Sequence, residues 1–265
     1  MASTIRTIKK IQNGAATLSY IRAGSDAPDA VTVCMIASTG RGPEDFIPLA
    51  DHLAAAGLRV AMPWPRGMGG SEGPLQDIDF HDLAADAAAV LRTEKGHGRG
   101  IVAGHAYGCW IARTLAQDCP DLVDGVILLA AGAGNWAPEL SQAIDIAMDP
   151  AAAEADRLAA LRLAFFAEGH DPRPWLDGWN GDVVRAQRAA RSRTDRDSWW
   201  ASGTVPILDI VGRQDPFRPA EHQTFYQKEF SPRVTLRLID GASHALPDEK
   251  PEEVAQQMLD WIGRL

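Results

Sequence analysis

The stretch RGIVAGHAYGCWIARTLA, residues 99–116, constrains the fold of this chain more than any other. Residues 100–103 are a short apolar run that predicts a buried strand, Gly104 and Gly108 bound a five-residue turn, and residues 109–117 predict a helix. A strand delivered straight into a helix through so tight a turn fits a mostly parallel sheet with helices on both faces. The rest of the chain keeps that rhythm. Two antiparallel-looking strands are expected near residues 5–11 and 17–22, and the apolar run 31–37 reads as a central strand because its apolarity is continuous rather than alternating. A helix over 46–56, a strand over 58–62, a Pro/Gly loop PWPRGMGGSEGP, a helix over 82–93 and a strand over 126–131 follow.

From about residue 134 to residue 203 the alternation stops, and an Ala-, Arg- and Trp-rich segment predicts a helical unit inserted after the sixth strand. The alternation resumes with a strand over 205–211, a helix over 219–229, a strand over 234–239 and a helix over 251–263 opened by Pro251. Residues 1–133 and 204–265 thus form one core and 134–203 a cap.

Gly104-His105-Ala106-Tyr107-Gly108 has the form of the G-x-S-x-G nucleophile elbow with alanine at the nucleophile position. Asp215, in GRQDPF, follows the strand ending near residue 211, and His244, in GASHALP, follows the strand ending near residue 239. The order nucleophile, acid, histidine is that of the α/β-hydrolases. On these residues the chain resembles that superfamily along its whole length: RGPEDF looks like its oxyanion loop, PRGMGGS its arginine-glycine turn, and residues 206–216 its strand-to-acid segment. Two departures are Thr39-Gly40 where the family usually has His-Gly, and Trp64 where it usually has Asp.

The resemblance implies a fold, an activity and a site. His244 would be the general base, Asp215 would orient it, and the backbone N–H groups of Arg41 and Tyr107 would form the oxyanion hole. Gly40 and the cap tryptophans Trp136, Trp175 and Trp179 are expected to line an apolar pocket, whereas His170 and the arginines of 185–196 read as a solvated helix face. Cys109 and Met68 read as packing. The implied activity is hydrolysis of a small apolar carboxylic ester or lactone, with a carbon-carbon bond hydrolase of a diketone or dienoate as the alternative on the same triad. Epoxide hydrolases and dehalogenases are disfavoured because their elbow holds Asp.

A methyl group cannot attack a carbonyl, so Ala106 leaves the chain nearly inert. It is read as a serine replaced by alanine, since every residue that would serve a serine is still present; a non-catalytic ligand-binding pseudoenzyme is the alternative. Composition narrows the partners. The net charge of -9 gives no sequence-independent grip on nucleic acid or anionic lipid, and no membrane partner is expected. Cys34, Cys109 and Cys119 lack metal-ligand spacing, and there is no G-x-G-x-x-G after a strand, so neither metal nor cofactor is expected. The opening MASTIRTIKK lacks the apolar core of a secretory signal and suggests a cytoplasmic protein, with a small apolar molecule as its ligand and a homodimer left open.

Overall fold

The computed structural model describes residues 5–134 and 136–265. The strands are β1 Arg6–Asn13, β2 Ala16–Gly24, β3 Thr32–Ile36, β4 Arg59–Pro63, β5 Gly100–His105, β6 Gly125–Leu129, β7 Ile207–Gly212 and β8 Val234–Ile239. They form one sheet in the order β1-β2-β4-β3-β5-β6-β7-β8. Only β2 runs against its neighbours, pairing antiparallel with β1 and β4, and every other pair is parallel. The helices are α1 Ile47–Ala55, α2 Phe80–Glu94, α3 Gly108–Asp118, α4 Pro138–Met148, α5 Glu154–Ala164, α6 Gly181–Arg193, α7 Phe225–Phe230, α8 Leu246–Glu249 and α9 Pro251–Ile262. None among the described residues is long and apolar enough to cross a membrane.

The continuous apolarity of the central strands follows from helices on both faces. Successive residues of a strand point to opposite sides, so Cys34, Val102 and Val126 join the core beneath α2 and α3, while Val33, Ile101 and Ile127 join the core beneath α1 and α9. Local signals place the helices. The Asp79 carboxylate accepts from the N–H groups of His81 and Asp82, and Asp82 answers the Asp79 N–H, a reciprocal cap that starts α2. Between β6 and β7 the chain forms α4, α5, α6 and two single 3-10 turns, Arg173–Leu176 and Arg196–Ser198, and no strand among the described residues. This helical segment packs its own core, Leu140, Leu161, Phe165 and Trp175, against Phe217 and Ala245 of the loops after β7 and β8.

One expected element is broken. The helix expected over 219–229 is a 3-10 turn, Ala220–His222, followed by α7. Two carbonyls within it are drawn to a buried side chain: Arg218 Nε donates to His222 O at 2.7 Å and Arg218 Nη2 to Gln223 O at 2.9 Å, which takes those oxygens out of an α-helical ladder. The same guanidinium donates to Ala131 O at 2.8 Å and to Asp209 Oδ2 of β7 at 2.7 Å, and neither charged side chain is exposed. This pair fixes the loop that carries Asp215 onto the end of β7.

Breaking a buried pair leaves an uncompensated charge. Arg218→Met should therefore lower the unfolding free energy by roughly 3–5 kcal/mol, and adding Asp209→Leu should recover a large part of it. Urea denaturation checks both, and a loss below about 1 kcal/mol in the single variant would mean the pair does not hold the loop.

Candidate active site

The elbow is built from close approaches and one strained residue. A side chain on Gly104 would put its Cβ 2.1 Å from Gly108 O, and one on Gly108 would put its Cβ 2.2 Å from Ile36 O, so both positions need glycine. Between them Ala106 has φ 49°, the left-handed region that L residues avoid. Its N–H donates to Leu129 O of β6 at 2.9 Å, and Cys109 N–H donates back to Ala106 O at 3.0 Å as α3 begins. The residue at 106 is thus raised above the sheet and left partly exposed while its neighbours His105 and Tyr107 are buried.

Asp215 lies in the turn after β7 and His244 in the loop after β8. His244 Nδ1 and Asp215 Oδ2 are 3.0 Å apart, both side chains buried, and Asp215 Oδ1 accepts from Phe217 N–H at 2.8 Å. With Nδ1 facing a carboxylate, Nδ1 carries the proton and Nε2 is the basic nitrogen. Phe217 packs against the imidazole with ring centroids 4.4 Å apart and the ring planes tilted by 48°, and Phe165 of the helical segment flanks it at 5.7 Å.

Arg41 is not where the sequence reading put it. Its N–H donates to Ser38 O at 3.2 Å, closing a β-turn whose third residue is Gly40 at φ 62°. Its side chain is equally occupied: Nε and Nη2 each meet Asp45 at 2.6 Å, Nη1 donates to Asp177 O at 2.9 Å, and the guanidinium lies over the rings of Trp175 and Trp179, 4.2 and 4.7 Å from their centres. The backbone N–H groups of Thr39 and Tyr107 have no acceptor among the described residues, and both residues line a cavity with Ala106 and His244. The turn spends the Arg41 donor and leaves the Thr39 donor free, a distinction that spacing in sequence does not carry.

That cavity has a volume of about 500 Å³. Trp136 and Trp179 line it as expected, joined by Trp110, Phe165 and Phe217. Trp175 does not line it. It is buried beneath, with Nε1 donating to Asp248 Oδ2 at 3.0 Å and its ring under Arg41. Burial, with the nearby Asp45 second, pushes the Asp248 carboxyl up to about 8. Gly40 also sits outside the cavity: a Cβ there would strike Val184 of α6 at 2.3 Å, and its N–H and C=O are taken by Gln187 Oε1 at 2.8 Å and Asn180 N–H at 2.9 Å. Arg188 and Arg191 are exposed, as expected of a solvated face, and they also line the cavity.

Residues 32–251 match the sequence profile of the α/β hydrolase fold. The chain belongs to this family. It is 28% identical over 228 residues to Protein ABHD8 of Homo sapiens, an alignment covering 80% of this chain and 50% of that protein, so the chain spans about half the length of that relative. It is 26% identical over 276 residues to Epoxide hydrolase A of Mycobacterium tuberculosis, covering 80% of this chain and 84% of that one. A thermophilic esterase from Thermogutta terrifontis superposes with a TM-score of 0.76 at 19% identity over 99% of both chains.

In this α/β-hydrolase the helical segment is tied to both loops of the site. Tyr107 Oη donates to Gln187 O of α6 at 3.0 Å, Ala245 N–H donates to Phe165 O at 2.7 Å, and Glu249 accepts from the N–H groups of Ala167 and Ser243 at 2.6 Å each. Under the elbow His105 is fully buried, its Nε2–H donating to His244 O at 2.7 Å and its Nδ1 without a partner among the described residues. Burial first, and His244 second, lower its pKa from 6.5 to about 3.

Since the folded state keeps His105 neutral, the unfolded chain binds the extra proton between about pH 6.5 and 3, and folding stability falls as pH drops through that window. His105→Gln keeps an N–H donor and removes the titration. Between pH 7 and pH 5 the unaltered chain should lose on the order of 1–2 kcal/mol more than the variant in urea denaturation. Equal losses would mean that His105 charges in the folded state.

Proposed function

We propose that the cavity is the acyl site of a serine-type carboxylic ester or lactone hydrolase whose nucleophile position is occupied by alanine. The observation that carries this is the Asp215–His244 pair at 3.0 Å, facing the same cavity as a strained elbow and two unspent backbone N–H groups. Each part answers one need of acyl transfer. The elbow aims position 106 into the cavity, His244 Nε2 is free to take a hydroxyl proton, Asp215 holds the opposite nitrogen, and the N–H groups of Thr39 and Tyr107 would hold the oxyanion.

With a serine at 106, the hydroxyl oxygen would bond to the ester carbonyl carbon as its proton passes to His244, which then gives the proton to the departing alcohol. Water, deprotonated by His244, would release the acid and restore the serine. Alanine has no atom for the first bond, so this chain would hold an ester without cleaving it. The substrate is small and largely apolar on this reading, because five aromatic side chains, Trp110, Trp136, Phe165, Trp179 and Phe217, face the cavity. Family membership and the fold shared with esterases support hydrolysis, and the alanine elbow supports neither an ester nor an epoxide nucleophile in the present chain.

Ala106→Ser should bring hydrolysis of p-nitrophenyl acetate and butyrate, with kcat rising by several orders of magnitude, on the order of 10⁴ or more, because triad members act as a unit. In that background Asp215→Asn should reduce kcat by roughly 10³–10⁴ with unfolding unchanged. A serine form inactive on esters, lactones and diketones alike would overturn the hydrolase reading in favour of a ligand-binding protein.

A further inference from the structure

The charged groups around the cavity do not cancel. Arg188 and Asp145 both line it and pair with each other at 2.6 Å. Arg191, one turn further along α6, also lines it and forms neither an ion pair nor a hydrogen bond among the described residues. Its guanidinium carbon sits 4.7 Å from the centre of the Trp110 ring and 5.8 Å from that of Trp136, both cavity residues. A guanidinium resting on ring faces is held in place by them while its N–H donors, which lie in its own plane, stay available. Arg191 remains solvent-exposed while it rests on these two rings.

The helix that carries Arg191 is fixed as well. Asn180 caps its first turn, Gln187 bridges Gly40 and Tyr107, and Thr194 at its end accepts from Phe80 N–H at 2.9 Å. Ser141, which also lines the cavity, accepts from Trp136 Nε1 at 3.0 Å and holds the indole on which Arg191 rests.

We infer that the cavity takes a ligand bearing one carboxylate, received by the Arg191 guanidinium away from the carbonyl that sits at the elbow. One unpaired positive charge matches one negative charge, and the planar fork matches the planar carboxylate with two parallel hydrogen bonds. The apolar walls then accommodate the chain between the carboxylate and the ester or lactone. Arg191 is a specificity residue in this arrangement and takes no part in bond making. The inference adds a charged group to the substrate class proposed above and rests on that cavity being the ligand site.

The test uses the chain as it stands, where alanine prevents turnover, and isothermal titration with three probes. Monobenzyl succinate carries the free carboxylate, benzyl methyl succinate is its neutral counterpart, and monobenzyl phosphate offers a larger, more highly charged anion. The acid should bind about tenfold or more tightly than the neutral ester, the value of one charge-assisted bidentate contact. Arg191→Met should bring the two within about twofold and leave the neutral ester's affinity as it was, which also shows that the variant is folded. Equal affinities in the unaltered chain, a preference that survives Arg191→Met, or no binding of either succinate would each overturn the assignment, and tighter binding of the phosphate would overturn the choice of carboxylate. The hydrolytic reading fails separately: an inactive Ala106→Ser form with an intact Arg191-dependent preference would discard the chemistry and keep the anion site.

Discussion

The left-handed backbone of Ala106 can exist only because the chain on either side of it is packed to backbone distance. Gly104 against Gly108, and Gly108 against Ile36, bring β5, α3 and the end of β3 closer than any side chain would allow. A single residue in this conformation costs of order 1 kcal/mol or more, a cost that the surrounding sheet must carry. The arrangement of the site depends on it. Once position 106 stands above the sheet edge, the loops after β3, β7 and β8 reach it from the same end of the parallel strands, where open α/β sheets form their crevices.

Around that fixed point the structure uses buried polar groups to hold loops rather than to do chemistry. Arg218 pins the acid loop to β7 through Asp209, Arg41 clamps the loop after β3 to the helical segment through Asp45 and Asp177, and Glu249 bridges the histidine loop to Ala167. Each is a charged group whose partners are mostly backbone atoms or a single opposite charge. The loops also bury apolar residues, Phe217, Ala242 and Ala245, and the hydrogen bonds add a fixed direction to that packing. The helical segment contributes aromatic walls and, through α6, the charged face that lines the cavity.

The local part of this design was readable in the sequence. The alternation of strands and helices, the helix start at Pro251, and the chain positions of Ala106, Asp215 and His244 follow from short patterns, because an elbow and a strand-end loop are each made by consecutive residues; the helix start at Asp79 lies three residues before the one expected, because its cap is a reciprocal contact with Asp82. What sequence could not supply was who touches whom across the fold. Arg41 and Thr39 stand two residues apart, and only the turn closed by Arg41 N–H decides which donor stays free. Trp175 and Trp179 are equally aromatic, yet one is buried on Asp248 and the other faces the cavity. Trp110 lay within reach of inspection, since it falls four residues after the elbow alanine at the start of α3 and so near the same opening. Arg191 gave no signal of its own, because it is exposed like the rest of the cationic helix face and its place beside the cavity depends on contacts across the fold.

On the proposed function an acyl carbonyl would sit between position 106 and the backbone N–H groups of Thr39 and Tyr107. A crystal structure of the unaltered chain with an uncleaved ester measures this directly. The carbonyl oxygen is predicted within about 3.2 Å of both Thr39 N and Tyr107 N, with the carbonyl carbon over the Ala106 methyl. An ester bound elsewhere, or one whose carbonyl turns away from both donors while His244 stays on Asp215, would contradict the account.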